Sequence, residues 1–406
     1  MSAAISSFAR TGNDRVAFFL ATLHGGGAER MMLNLAGGFV KRGIETDLVL
    51  ANSEGPLLQQ IPAGVRVIDL RATRVLTALR PLTAYLRHNE PISLLSTLGH
   101  ANIVALWARR LAKARTSIVV REANMPSDAS RHAYHTKGRL FPLLLRKFYP
   151  WADDIIAISQ GVAKNLASVT GLPPESISVI HNPAFTPELA MKAKEPLEHP
   201  WYAPGEPPVL LGVGRLVKQK DFPTLIRAFH ILRKERPIRL IILGEGDERQ
   251  YLETLVSELG LVNDVQLPGF VKNPHAYMAR SATFVFSSAW EGFGNVLVEA
   301  MATGTPVVST DCESGPAEIL LNGTYGRLVP VGDARALADA ILATLSDPIA
   351  PSKLKDRVLE FSLERIVDKY AAILVQTKSC HSPLRSRLQV DQNREKGRST
   401  PSKGAV

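Results

Sequence analysis

The chain has 406 residues, with 48 Lys and Arg against 38 Asp and Glu for a net charge of +10, and a length of this order suggests two domains. An apolar share of 45% can fill two cores, and 21% charged residues is ordinary for a globular protein. No apolar run reaches the roughly 18 residues of a membrane-spanning helix, residues 1–14 lack the apolar block of a signal peptide, and the two cysteines, Cys312 and Cys380, fit no metal or redox spacing and are expected to be reduced thiols.

Taken in order, residues 1–13 read as a flexible lead and residues 14–186 as a first α/β domain. Residues 16–20 read as a buried strand, 28–42 as a helix, and 46–51 and 65–70 as further strands. Helical patterns cover 74–88, 101–113 and 138–148. Strands are expected at 92–96, 117–120, 154–158 and 178–181. The segment 187–208, rich in proline and charge, reads as a linker. A second α/β domain, 209–352, repeats the alternation with strands at 209–213, 240–243, 265–267, 283–287 and 307–309, the pattern of a parallel sheet. A final helix is expected over 353–375, in a segment set at 353–376. The polar, basic tail 377–406 has a disordered composition.

The chemistry concentrates where predicted strands end. Glu291-Gly292-Phe293-Gly294-Asn295-Val296-Leu297-Val298-Glu299 places two carboxylates eight residues apart across a glycine loop and a helix start. Gly292 and Gly294 allow a sharp turn and a close approach to a ligand, and Asn295 is expected to cap the helix. Free amides at that helix start favour phosphate, so the natural partners of the two carboxylates are ribose or sugar hydroxyls. On spacing alone, two acids at a helix start and a tight turn explain the run equally well.

Gly212-Val213-Gly214-Arg215-Leu216-Val217-Lys218-Gln219-Lys220-Asp221 also follows a strand. It lacks the third glycine of a dinucleotide fingerprint. Arg215 can hold two phosphate oxygens and Lys220 supplies a point charge, while Lys218 reads as a solvated loop charge. Gly244-Glu245-Gly246 and Leu267-Pro268-Gly269-Phe270 follow the next two strands. In the first domain, His24-Gly25-Gly26-Gly27-Ala28-Glu29-Arg30 is expected to expose backbone amides. Gly99-His100-Ala101-Asn102 and Arg121-Glu122-Ala123-Asn124 should reach the same sheet edge.

The run from 283 to 320 resembles the E-x7-E segment of retaining glycosyltransferases of family 4, and the resemblance extends over about 16–375. It implies the GT-B fold: two facing Rossmann-like domains with a cleft between them and a C-terminal helix crossing back. It implies a nucleotide-diphosphate sugar as donor. The G-R-L-x(3–4)-K pattern makes Arg215 and Lys220 the clamp on the donor diphosphate, with Asp221 where the family often has glycine. Glu291 is then catalytic, facing the sugar, and Glu299 holds the ribose. Gly292, Phe293, Gly294, Asn295, Gly214, Gly244 and Gly246 line the donor, and the G-G-x-E match adds Gly26 and Gly27. Many members carry a histidine near the position of Arg121 and Glu122. Its absence here leaves Arg121, Asn124 or His100 for the sugar or acceptor contact. No cofactor and no metal are expected. Asp153-Asp154 lies at a strand start rather than in a D-x-D site, and fixed positive groups replace the cation. Catalysis would rest on positioning and electrostatic preorganisation. A sugar-nucleotide epimerase or a phosphorylase of the same architecture is the alternative enzyme. A carbohydrate-binding paralogue without activity is the alternative binder, disfavoured by the presence of Arg215, Lys220 and Glu299.

Charge is uneven: residues 1–190 carry +8, 191–376 carry −3 and 377–406 carry +5. Arg74, Arg80 and Arg87 share one amphipathic segment, and residues 139–148 mix bases with large apolar groups. Such segments can lie on an anionic bilayer, although helices with solvated arginines explain either alone. The expected partners are thus a nucleotide sugar, a glycan or lipid-linked acceptor and an anionic membrane, in a cytoplasmic protein peripheral on the inner face of the membrane. Nucleic acid is not expected.

Overall fold

A computed structural model describes residues 15–127 and 141–375. The expectations placed on 1–13, on the start of the 138–148 helix, on Cys380 and on the 377–406 tail lie outside the described residues. Two units emerge from the packing. The first comprises residues up to 158, 162–180 and those from 367 onward; the second comprises 159–161 and 181–366.

The first unit is built on a seven-stranded parallel sheet ordered β3-β2-β1-β4-β5-β6-β7. In chain order its elements are β1 (Val16–Leu20), α1 (Gly27–Lys41), β2 (Thr46–Leu50), β3 (Val65–Asp69), α2 (Leu79–Asn89), β4 (Ser93–Thr97), α3 (Gly99–Ala112), β5 (Ser117–Glu122), α4 (Phe141–Phe148), β6 (Asp154–Ala157), α5 (Gln160–Thr170) and β7 (Ile177–Val179). β1, β2, β4 and β5 are buried along their whole length, as strands covered on both faces by crossover helices must be. Strand order reverses between β1 and β4, so the loops after these two strands flank the switch point where such sheets take ligands.

The second unit carries a six-stranded parallel sheet ordered β10-β9-β8-β11-β12-β13. Its elements are α6 (Pro187–Lys192), β8 (Val209–Val213), α7 (Phe222–Glu235), β9 (Arg239–Leu243), α8 (Arg249–Glu258), β10 (Val265–Gly269), α9 (Pro274–Met278), β11 (Thr283–Phe286), α10 (Asn295–Ala302), β12 (Val307–Thr310), α11 (Pro316–Ile319), β13 (Arg327–Val329), α12 (Ala334–Ser346) and α13 (Pro351–Val358). α7 buries Phe222, Leu225, Phe229 and Leu232, one stripe at three- and four-residue spacing. Each such side chain contributes about 1.5–3 kcal/mol when fully buried. Here the switch point lies between β8 and β11.

Three expectations need correction. The segment 187–208 is not bare chain: it contains α6 and a 3-10 turn, Pro200–Tyr202, that buries Trp201. The sheet gains an edge strand, β13, whose three residues carry too little pattern to be read as a strand. The single helix expected over 353–375 is two, α13 and α14 (Leu363–Leu374), separated by the 3-10 turn Leu359–Phe361. The break is tertiary in origin. Phe361 is fully buried with its ring against Phe293, and the backbone of Phe185 pairs with Phe361 and Leu363. From Val367 the chain belongs to the first unit. There Val367 sits so close over Gly38 of α1 that no Cβ would fit at Gly38, and Asp368 pairs with Arg42 at 2.6 Å.

Candidate functional site

In the second unit, the loops after β8 and β11 meet at the switch point. Gln219 donates from its amide to the carbonyl of Trp290 at 3.0 Å, and its own carbonyl accepts from the Ala289 N–H at 2.8 Å. Ser287 Oγ donates to the Lys220 carbonyl at 2.7 Å. This lacing holds the Lys220 ammonium in an ion pair with Glu291, both side chains mostly buried. The Lys220 stem lies along Gly214, where a Cβ would meet three of its methylenes at 3.2–3.3 Å. The ammonium also stands 5.3 Å over the Phe286 ring. Arg215 is exposed at the head of the same loop and forms no ion pair among the described residues. One glutamate, one lysine and one unengaged guanidinium therefore share a single strand-end platform.

Asp221 explains its own departure from glycine. Its backbone is left-handed, at φ +43°, a conformation that glycine adopts freely and Asp tolerates. Its carboxylate caps α7, accepting from Thr224 Oγ1 at 2.7 Å and from the Thr224 N–H at 3.4 Å. Gly244 is at φ +138°, and a Cβ there would collide with the Gly214 carbonyl. Gly246 is pressed in the same way against the Leu216 carbonyl. The glycine requirement at both positions is thus met by the approach of the β9 loop to the Arg215 loop. Phe270 is 77% exposed beside it.

The E-x7-E segment divides differently from the sequence expectation. Gly294, at φ +101°, is the N-cap of α10. Asn295 does not cap; it is the first helical residue, and its side-chain Oδ1 accepts from Asn182 Nδ2 at 2.8 Å. The Gly292 carbonyl accepts from Ser159 Oγ at 2.8 Å and Ser314 Oγ at 2.9 Å. Phe293 does not turn its ring to a ligand: it is buried, stacked on His181 at 5.2 Å and packed on Phe361. Glu299 remains reachable on α10, with an oxygen 3.3 Å from His275 Nε2. His275, at the start of α9, was missed in the sequence. Its Nδ1 is buried without a hydrogen-bond partner among the described residues. The one sequence signal for it, an Asn-Pro helix start just before it, says nothing of Glu299. Burial, and then the charge of Glu291, push the Cys312 thiol up to about 12, so it stays protonated.

The first-unit candidates separate in the same way. The Gly26 and Gly27 loop does not offer all its amides: the Glu29 carboxylate accepts from the Gly25 N–H at 2.8 Å and the Gly26 N–H at 2.5 Å. His100 is exposed and packs on Phe141, ring centroids 4.5 Å apart, and Asn124 is exposed. Arg121 is no ligand contact. It is fully buried and donates to Thr97 Oγ1 at 2.9 Å and Tyr370 OH at 3.1 Å. Beside it, Glu122 is buried and accepts from Tyr149 OH at 2.6 Å. Asn102 Nδ2 donates to that hydroxyl at 2.9 Å. Burial pushes the Glu122 carboxyl up to about 7. Asp153 is engaged by Arg109 at 2.7 Å and by the Ile118 N–H at 2.8 Å.

Comparison with known proteins agrees with this layout. The model for glycosyl transferases group 1 matches residues 194–360, and that for Glycosyltransferase Family 4 matches residues 25–186. One similar protein is the N-acetylgalactosamine-N,N'-diacetylbacillosaminyl-diphospho-undecaprenol 4-alpha-N-acetylgalactosaminyltransferase of Campylobacter jejuni, 29% identical, covering 82% of this chain and 90% of that one. Another is the lipopolysaccharide core biosynthesis glycosyltransferase LpsE of Rhizobium meliloti, 28% identical, covering 86% and 96%. Among solved structures, Anabaena Alr3699/HepE in complex with UDP and glucose superposes with a TM-score of 0.71 at 23% identity, over 89% of this chain and 99% of that one. Two parallel-sheet α/β units, a matched model on each and relatives aligned along most of their length place this chain in the group 1/family 4 glycosyltransferases of the GT-B fold.

Proposed function

We propose that this glycosyltransferase takes a nucleoside-diphosphate sugar as donor, works without a metal, and transfers the glycosyl group with retention to a lipid-linked or envelope glycan. The acceptor is presented at the inner face of a cell membrane, where the enzyme is peripheral. The observation that carries the donor reading is the Lys220–Glu291 pair beside the unengaged Arg215 at the β8/β11 switch point. The names of the relatives support the acceptor class: one acts on a diphospho-undecaprenol saccharide, another in lipopolysaccharide core synthesis.

The chemistry follows from the charges. A donor diphosphate competes for the Lys220 ammonium, which frees Glu291 to accept a hydroxyl of the donor sugar. Arg215 grips the same phosphates through two parallel N–H bonds. As the bond from the anomeric carbon to phosphate oxygen breaks, negative charge grows on the leaving phosphate, and both cations stabilise it where it develops. The acceptor hydroxyl attacks on the face the diphosphate leaves, and that phosphate takes the hydroxyl proton. Glu299, steadied by His275, accepts the ribose hydroxyls. These fixed cations perform the charge neutralisation that a metal would otherwise supply.

The test is a thermal-shift screen of the purified chain against UDP-, GDP- and ADP-sugars. A true donor at a hundred times its dissociation constant adds about 2.7 kcal/mol of apparent stability. With that donor and a lipid-linked saccharide, turnover should persist in excess chelator, and the product should keep the donor's anomeric configuration. An inverted product, or loss of turnover restored by a divalent cation, overturns the corresponding part of the reading.

A further inference from the structure

The first unit carries a surface that the donor chemistry does not use. α3 presents Trp107, Arg110 and Leu111 on one stripe, and α4 presents Leu143, Leu144 and Lys147. The apolar members are open to water: Leu143 is 60% exposed, Leu111 46%, Leu144 41% and Trp107 37%. The stripes are joined by an aromatic cluster. The rings of Trp107, Phe148 and Trp151 meet edge to face, with centroids 5.4, 5.1 and 4.9 Å apart. The Arg110 guanidinium lies 4.1 Å over Trp151, and the Lys147 ammonium 5.7 Å over Phe148.

Charge decides what this surface fits. Neither α3 nor α4 contains an acidic residue. The nearest acid in sequence, Asp153, is engaged by Arg109, so Arg110 and Lys147 meet no carboxylate among the described residues. Exposed leucines with an indole beside unpaired cations match the two layers of a bilayer interface: apolar groups enter the acyl boundary, aromatic rings sit at headgroup depth, and long basic side chains reach phosphate. We propose that the α3–α4 face of the first unit docks on an anionic phospholipid surface. The proposal rests on the membrane-borne acceptor proposed above and names the surface that meets the membrane.

Full-length chain is sedimented with vesicles of phosphatidylcholine alone or mixed with phosphatidylglycerol, while tryptophan emission is recorded. Wild type should bind the anionic vesicles only, with a blue shift from Trp107. Arg110→Gln with Lys147→Gln removes two bases at the surface and should weaken binding roughly 30-fold. Leu111→Glu with Leu144→Glu should abolish it. All four positions are exposed, so unchanged melting and an unchanged nucleotide-induced thermal shift establish that the variants are folded with their donor site intact. Wild-type binding in both double variants, equal binding to neutral vesicles, or no binding at low salt each overturns the proposal; the last would make a protein partner the better occupant. The nucleotide shift is read on the same samples without lipid, so failure of the donor reading is seen separately from failure of the surface.

Discussion

At residue scale, the donor reading makes its strongest claim on Arg215. An exposed guanidinium without an ion-pair partner contributes little to folding, so Arg215→Ala should leave melting unchanged. It should still cost about 2–4 kcal/mol of transition-state stabilisation, mostly in kcat, because its bonds strengthen as charge develops on the leaving phosphate. Wild-type turnover at saturating donor would remove Arg215 from the clamp. Glu299 and His275 make a second claim. A hydrogen bond to a charged group is worth about 1.5–3 kcal/mol, so Glu299→Gln should weaken free nucleoside diphosphate and sugar nucleotide alike in calorimetry. His275→Ala should weaken both by less, since it steadies the carboxylate rather than touching the ligand. Loss confined to the sugar-bearing ligand would reverse the roles of Glu291 and Glu299. Arg215, Lys220, Glu291 and Glu299 were legible as candidates from the loops and the helix start that follow strands, whereas His275 was not. Their partners were not, because His275 meets Glu299, and Glu29 meets its own loop amides, through geometry that spacing does not encode. Arg121 shows the opposite failure. A strand-end arginine reads as a ligand group, yet its guanidinium is buried and bonds to Thr97 on β4 and Tyr370 on α14.

At element scale, the alternation of apolar strands and amphipathic helices was enough to read two parallel α/β blocks, because a parallel sheet imposes crossovers. The order of the strands was not readable, and neither was the break between α13 and α14, which depends on Phe185 and Phe361 meeting. The edge of β5 carries a consequence of burial. Glu122 titrates near 7 in the folded chain, against an ordinary value of 4.5, because burial outweighs the bond from Tyr149 and the charge of Arg121. The folded state therefore holds a proton that the unfolded chain gives up between those values. Stability from this group is full below about 4.5, falls as pH rises to about 7, and stays lower above it. Glu122→Gln keeps an acceptor for the Tyr149 hydroxyl and removes the charge. It should stabilise the protein at pH 8, by on the order of 3 kcal/mol at most, and change little at pH 4.5. Melting curves of both proteins at the two pH values are the check. Parallel pH dependence would mean that Glu122 is ionised in the fold at no cost.

At the scale of the whole molecule, charge is the property with reach. The excess of +10 is confined to residues 1–190, at +8, and 377–406, at +5, while the donor-side stretch between them carries −3. A chain recruited to an anionic surface by long-range attraction should respond to salt, since screening shortens to about 3 Å at 1 M. It should also respond to removal of the polybasic tail. The two contributions differ in kind. The tail supplies charge alone, whereas the α3–α4 face adds exposed Leu143, Leu144 and Trp107, which salt does not screen. Deleting residues 377–406 should therefore weaken attachment to anionic vesicles at low salt without abolishing it. What remains should be less salt-sensitive than the full-length protein, because a larger share of it is apolar. The measurement is vesicle cosedimentation of the two proteins across a salt series. If the deletion removes all binding, the tail is the anchor and the folded face contributes nothing. If the two salt curves coincide, the tail's charge serves another purpose, and the membrane is met by the first unit alone.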